Sequence, residues 1–502
     1  MKAAIDGVDG RLSRYGLGVI LVQSMILAAF LLVAISYRSF DYHPERFIYP
    51  VCVFLLILFA WTIWSWRALT GNLFDPYILF VVAAFAFNAG LAILEVFQLN
   101  RGGIFNGRFS PQTILETLLL VTIGLTAFHS GALVAIFTRG RPAGARRATQ
   151  KQEQDGRSLR IVGWALIGIA AIPTVLAFKQ SLSVVTSSGY FGLFQQQAST
   201  GFGAWSMVLS TFLVPGSLFL LAGSKGKRSG IMASFGIVLI YCVLMFFLGA
   251  RGSAILVLLA YLWLWHRTIH KVPVTALAAI AILLIVVLIP LLSVFRNVTG
   301  RERYSVTAAV DAYKSVKNPA VAGLAEMGGS MQTISYTIDL VPKTRGYDMG
   351  AGYYYASLTA FPNLFWSVHP AIARGQASAW LVRTVSPYTA AHGGGLGYSF
   401  IAEAYLNFGW WGAAIVLGII GFLYSSLVLW ADRSGDIARL AMLASFLSFF
   451  LGFARGEAIE VVRALMWYSI LPYLAVLFLD YARSRPQQAI SDVPKGSFRT
   501  EG

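Results

Sequence analysis

Twelve runs of about 20 apolar residues divide this chain, and a run of that length matches the hydrocarbon thickness of a bilayer. They fall at 15–36, 47–66, 76–97, 111–138, 161–178, 205–222, 231–248, 253–265, 273–295, 400–430, 440–453 and 462–479. The eighth and eleventh are short and span only with help from their neighbours. With 57% hydrophobic and 12% charged residues, the chain has too little polar surface to cover a soluble core of its size. The expected fold class is therefore an all-α polytopic membrane protein with about 12 transmembrane helices. Cys52 and Cys242 both lie inside apolar runs, so a disulfide framework is not expected. The first apolar run is too long for a cleavable leader and lacks a clear small-residue cleavage site.

Basic residues orient the chain. Net charge is +17, and much of it sits in short connections, where it reports sidedness rather than nucleic-acid binding. The N-terminus, the loop 139–160, the loop 223–230 and the loop 266–271 all carry Lys and Arg. The second of these has seven basic residues against two acids. Twelve spans place all four on one side, with both termini cytoplasmic. The expected organisation is then nine spans in 1–295, a large periplasmic cap over 296–399, three spans in 400–480 and a cytoplasmic tail over 481–502. The cap is far longer than an ordinary connection, which marks it as functional.

Residues with chemical potential gather where that cap returns to the membrane. The stretch 391–412 reads AHGGGLGYSFIAEAYLNFGWWG. Gly393, Gly394, Gly395 and Gly397 precede a helix expected to start near Tyr398 or Ser399. Free N–H groups at such a helix start attract phosphate, and glycine lets backbone approach closely. The bland alternative is a flexible entry loop. Glu403 lies one turn into the helix, with Asn407 on the same face. An acid this near the bilayer is a candidate general base, and the alternative is a structural partner for an arginine. His392 is a second candidate base, since histidine is the side chain suited to proton transfer at physiological pH, unless it is a solvated loop histidine. Glu457 is a weaker one.

Three arginines sit at the expected outer ends of later spans, where positive charge is disfavoured: Arg251, Arg296 and Arg455. Guanidinium groups match phosphate oxygens bidentately, so the trio is expected to form an anion site in one outer cavity. Snorkelling, or pairing with Glu457 or Glu460, is the alternative. Glu95, Glu116 and His129 lie within apolar runs and are adequately explained by pairing between helices. No His, Cys and Asp cluster has metal-ligand spacing, and the glycine run lacks the spacing of a nucleotide-binding loop.

Taken with the words LGARGS (248–253) and FARGEA (453–458), the stretch GGGLGYSFIAEAYLNFGWWG (393–412) resembles the O-antigen polymerase family, Wzy. The plan of about a dozen spans, with one large loop before the last few, is similar along the whole chain. The resemblance implies a C-type glycosyltransferase architecture. It implies transfer of a growing glycan from undecaprenyl diphosphate to a sugar hydroxyl of an incoming lipid-linked repeat, at the periplasmic face of the bacterial inner membrane. No cofactor, metal, nucleotide sugar or nucleic acid is implied. The substrate is undecaprenyl-diphosphate-linked oligosaccharide in the bilayer, and a chain-length regulator and a flippase are the implied companions. On this reading Arg251, Arg296, Arg455, Gly394 and Gly395 hold the diphosphate, and Glu403 or His392 takes the proton. A ligase of the related O-antigen type, or a multispan transporter of lipid-linked or anionic solute, shares parts of the plan. Reporters fused at Gly144 and Gly350 should give opposite sidedness, the first cytoplasmic and the second periplasmic. The same sidedness for both would mean an odd error in the span count between them.

Overall fold

The computed structural model describes residues 2–36, 43–100, 102–139, 148–189, 192–193, 202–284, 318–363 and 366–491, and among them every regular element is helical. Ten of the helices are long and apolar enough to cross a bilayer. Of the twelve expected segments, 253–265 falls in the 18-residue helix Arg251–Thr268, whose ends are charged. The segment 273–295 is described only as far as residue 284. The cysteines are free and buried.

Three helices form the frame for the site: α1 (Pro76–Val96), α2 (Pro111–Thr138) and α3 (Phe400–Arg433). The start of α1 is capped by Asp75, which accepts from Tyr77 N at 2.8 Å. The start of α2 is capped by Ser110, which accepts from Thr113 N at 3.1 Å. Both follow their cap with proline, as a helix start favours. The inner polar residue of α2 is tied up between neighbours. His129 Nε2 meets Ser65 Oγ at 2.8 Å and Nδ1 meets Tyr77 Oη at 2.7 Å. That is the pairing between helices expected for it.

The helix α3 is not the single span that 400–430 led us to expect. Gly409 has φ 69° and ψ −161°, and there the chain reverses. The reversal is visible in the packing. An atom at the Cβ position of Gly124 in α2 would lie 3.0 Å from Leu417 and 3.2 Å from Ile401. In one continuous helix those two residues would stand about 24 Å apart. Residues 400–408 therefore form a short helix that rises towards the loop end of the bundle, and 410–433 turns back beside it and crosses. Trp410 packs on Leu115 and Leu119 near the start of α2, whereas the Phe400 ring lies 6.1 Å from Phe128 and 5.7 Å from Phe80, deep in the bundle. Ser399, at the root of the short helix, bonds to Asn88, about 12 Å below the end of α1. The glycine run thus dips into the bundle instead of skimming its surface.

The described part of the long loop, 318–399, is a set of six short helices: Pro319–Gly328, Met331–Leu340, Ala351–Leu358, Pro370–Arg374, Ala377–Val385 and Pro387–Ala391. The first two pack on the upper parts of α1 and α2. The hairpin is held against α2 by close backbone approach. A Cβ on Gly131 would overlap the carbonyl of Gly418. Gly131→Ala should therefore destabilise the fold by about 1–3 kcal/mol or more. Gly168→Ala, which meets nothing within 4 Å, should be neutral. Thermal midpoints of the detergent-solubilised variants check this.

Candidate functional site

The buried start of the short helix is held by two polar side chains, Ser399 and Asn88, and by backbone carbonyls of residues 454 and 455. Ser399 Oγ accepts from Ile401 N at 3.1 Å and Ala402 N at 3.4 Å, and donates to Asn88 Oδ1 at 2.6 Å. The amide of Asn88 in turn donates to Ala454 O at 2.8 Å. Tyr398 N donates to Arg455 O at 3.3 Å. These bonds sew the segment 397–399 to the segment 454–455. Gly397 has φ +74°, and a Cβ there would lie 2.6 Å from Arg455 Nε. The stem of the Arg455 guanidinium therefore lies directly against the glycine run, with its Cζ atom 5.9 Å from the Phe87 ring centre.

Gly393–Gly397 and Arg455 line one end of a cavity of about 1680 Å³. Its walls are mostly apolar side chains of α1 and of α4 (Arg251–Thr268). Along α1 it runs from Leu79 to Phe97, about 27 Å, which is nearly the thickness of a hydrocarbon core. Arg383 joins Arg455 at the loop end, while Arg67, Asn72, His266 and Arg267 lie at the other end.

Glu403 faces a different space. It is 3% exposed. Its Oε2 accepts from Ala458 N at 2.8 Å, capping the helix Ala458–Arg463. Among the described residues that is its one side-chain hydrogen bond, so Oε1 is left for the small polar cavity of about 60 Å³ that Glu403 lines. Arg345, Asp348, Arg374, Trp380 and Glu457 share that cavity. Asp348 is ion-paired to Arg345 at 2.7 Å and also to Arg374. Arg345 lies 4.4 Å over the Trp380 ring and Arg374 lies 5.1 Å over Tyr355. Glu457 uses both oxygens to cap the helix Ala377–Val385, accepting from Ala377 N and Ser378 N at 2.8 Å each. Asn407 accepts from Gly352 N at 3.0 Å and donates to Glu403 O at 2.8 Å, which fixes the short helix to the loop. On the loop side, Tyr353 is tucked beneath this acid. Burial first, and then the Glu403 and Tyr398 side chains, push its hydroxyl well above the ordinary tyrosine value, so it stays neutral.

A family model for the O-antigen polysaccharide polymerase Wzy matches residues 20–482. The chain belongs to that family. No curated protein and no solved structure matches it. Membership makes the chain an O-antigen polymerase in general terms, with glycosyltransferase-type activity on lipid-linked oligosaccharide, in a multi-pass membrane protein of polysaccharide biosynthesis.

Within the polymerase, the residues singled out from sequence separate into groups. Arg455, Gly394 and Gly395 line the large cavity. Gly249 and Gly252, on either side of Arg251, line it too, but the Arg251 side chain lies outside the described residues, and so does the whole of Arg296. Glu403 lines the polar cavity and not the large one. His392 lines neither. It is exposed, with Nδ1 2.8 Å from Tyr388 O and its ring 4.2 Å from the Tyr388 ring. Arg383, Arg345, Arg374 and Asp348 were not singled out. Arg374 stands in the word ARGQA (373–377), and none of the four carries a spacing signal. The geometry also gives Glu457 a capping task. Glu457→Ala should lower stability by about 0.5–2 kcal/mol, the usual worth of a lost helix cap. Glu457→Gln, which keeps one acceptor, should lose less, as thermal unfolding in detergent would show.

Proposed function

We propose that the polymerase moves a growing glycan from undecaprenyl diphosphate to a sugar hydroxyl of an incoming lipid-linked repeat, at the periplasmic face and without metal or nucleotide sugar. The observation that carries this reading is the large cavity. It offers an apolar trough as long as the hydrocarbon core is thick, ending in a glycine run and two guanidinium-bearing residues, Arg383 and Arg455. A polyprenyl diphosphate needs that combination, with hydrocarbon for the tail and N–H donors and fixed cations for the head. A diffusible anion would need no such trough, and that weighs against a transporter of anionic solute.

In the proposed reaction the bond between the anomeric carbon and the diphosphate oxygen breaks. A bond from that carbon to the acceptor oxygen forms, and the acceptor proton passes to Glu403. Negative charge grows on the departing diphosphate, where Arg455 and the backbone donors of Gly394 and Gly395 oppose it; Arg251 and Arg296 are proposed to join them. Glu403 suits the base role because its helix and its bond to Ala458 N fix the carboxylate while Oε1 faces polar space. His392 suits it less, being exposed and turned onto its own helical turn.

Glu403→Gln keeps the acceptor oxygen for Ala458 N but cannot take a proton, so turnover should fall by roughly 10²–10⁴-fold with lipid-linked donor still bound. Arg455→Lys keeps charge but loses the fork, and it should cut polymer yield strongly while the protein stays inserted. His392→Ala should leave yield near normal. The readout is polymer formed from purified lipid-linked repeats by each variant in nanodiscs. Near-normal turnover by the Gln variant would leave Glu403 as a helix cap alone.

A further inference from the structure

The two cavities lie on opposite faces of one thin partition. Gln376 lines both of them. The rest of the partition is the start of the helix Ala377–Val385 and the turn that runs from Arg455 to Ala458. Glu457 bonds these two pieces to each other. Arg455 faces the apolar side and Glu403 the polar side, although Arg455 and Ala458, the residue Glu403 holds, are three positions apart.

The charges on the two sides differ in kind. At its loop end the large cavity carries Arg383, Arg455 and the glycine N–H groups, which suits a diphosphate. The small cavity carries three carboxylates, from Glu403, Glu457 and Asp348, against two guanidinium groups, from Arg345 and Arg374. A diphosphate there would meet the Asp348 and Glu457 carboxylates at close range. A neutral sugar would not. Hydroxyl groups both donate and accept, so they match a mixed lining of carboxylates and guanidiniums. The volume of about 60 Å³ admits a few waters, or the hydroxyl-bearing edge of one sugar, but no whole ring. The ring faces of Trp380 and Tyr355 are already covered by Arg345 and Arg374. Recognition there would be by hydrogen bonding rather than by stacking.

We propose that this polar cavity is the acceptor subsite, in which Asp348 and Arg374 grip the hydroxyl-bearing edge of the incoming sugar and present one hydroxyl to Glu403 Oε1. Donor diphosphate and acceptor sugar then meet at the edge of the partition, where Gln376 lines both cavities, so that the acceptor oxygen reaches the anomeric carbon. This assignment rests on the transfer reaction proposed above. It adds two specificity-determining residues, Asp348 and Arg374, that touch the acceptor and not the donor.

The test uses the full-length protein in nanodiscs, with intact lipid-linked repeat as donor and two probes. One is undecaprenyl diphosphate without glycan. The other is the free oligosaccharide released by mild acid from the host's own lipid-linked repeat. Arg374→Gln and Asp348→Asn should each raise the KM for the free oligosaccharide as acceptor by about tenfold, the worth of one hydrogen bond to a charged group. Both should bind undecaprenyl diphosphate as the unaltered protein does, which also shows that they are folded. Arg455→Lys should give the reverse pattern. An unchanged acceptor KM in both polar-cavity variants would overturn the assignment, and so would an unaltered protein that cannot use the free oligosaccharide. If one of the two variants fails to fold, the other still decides. If the unaltered protein makes no polymer from intact lipid-linked repeats, the transfer reaction itself is wrong, a result distinct from either of those.

Discussion

The structure turns on a helix that begins inside the bundle. A helix start exposes N–H groups with no partner in their own helix, and in hydrocarbon no water replaces that partner. Ser399 answers for the short helix 400–408, but only because Asn88 anchors its hydroxyl and the segment 454–455 accepts from Asn88 and from Tyr398 N. The same device then repeats outward. Glu403, on that helix, caps the helix Ala458–Arg463. Glu457, one residue before it, caps the helix Ala377–Val385. Three helix starts far apart in sequence are thereby linked, each by a side chain from the preceding member or its root. Removing the first link would leave the other two without a support.

This linkage explains how a mobile-looking glycine run can bind anything with precision. Glycine contributes little by itself, since its backbone loses more freedom on ordering than any other. Here the run is pinned at both ends. Gly394 N donates to Thr389 O at 2.8 Å, and Tyr398 N donates to Arg455 O. The positive φ at Gly397 lets Arg455 lie where a side chain would otherwise stand. Guanidinium and backbone donors are then presented together, at the mouth of an apolar trough.

The parts of this arrangement that follow local chemistry were legible in the sequence. The apolar runs give the spans, and the polar cap at Ser399 before an apolar stretch gives the helix start. The return of the long loop gives the place. The reversal at Gly409 was not legible, because a single glycine followed by Trp410 and Trp411 reads as an ordinary interfacial helix. Only its packing, with Ile401 and Leu417 both at Gly124, reveals a hairpin. Asn88 was not singled out, because its role depends on partners more than 300 positions away. The cluster of Asp348, Arg345 and Arg374 was invisible for a related reason. Two of its members, Arg345 and Asp348, are close in the chain, but nothing in their spacing says that a second cation and two glutamates fold onto them.

The partition also gives a physical reason for using two acids of unequal freedom. Glu457 spends both oxygens on backbone donors, so it holds the wall and has no lone oxygen to offer. Glu403 spends one. A base in a water-poor site must be fixed in direction yet keep an open lone pair, and one hydrogen bond to a helix start meets both needs. Had both acids been fully engaged the site would be rigid and inert. Had both been free, two unpaired carboxylates would share a buried space and repel. One closed and one half-open carboxylate, on a wall shared with Arg455, lets the chain keep an open acceptor oxygen beside the hydroxyl it would activate and positive charge beside the diphosphate it would release.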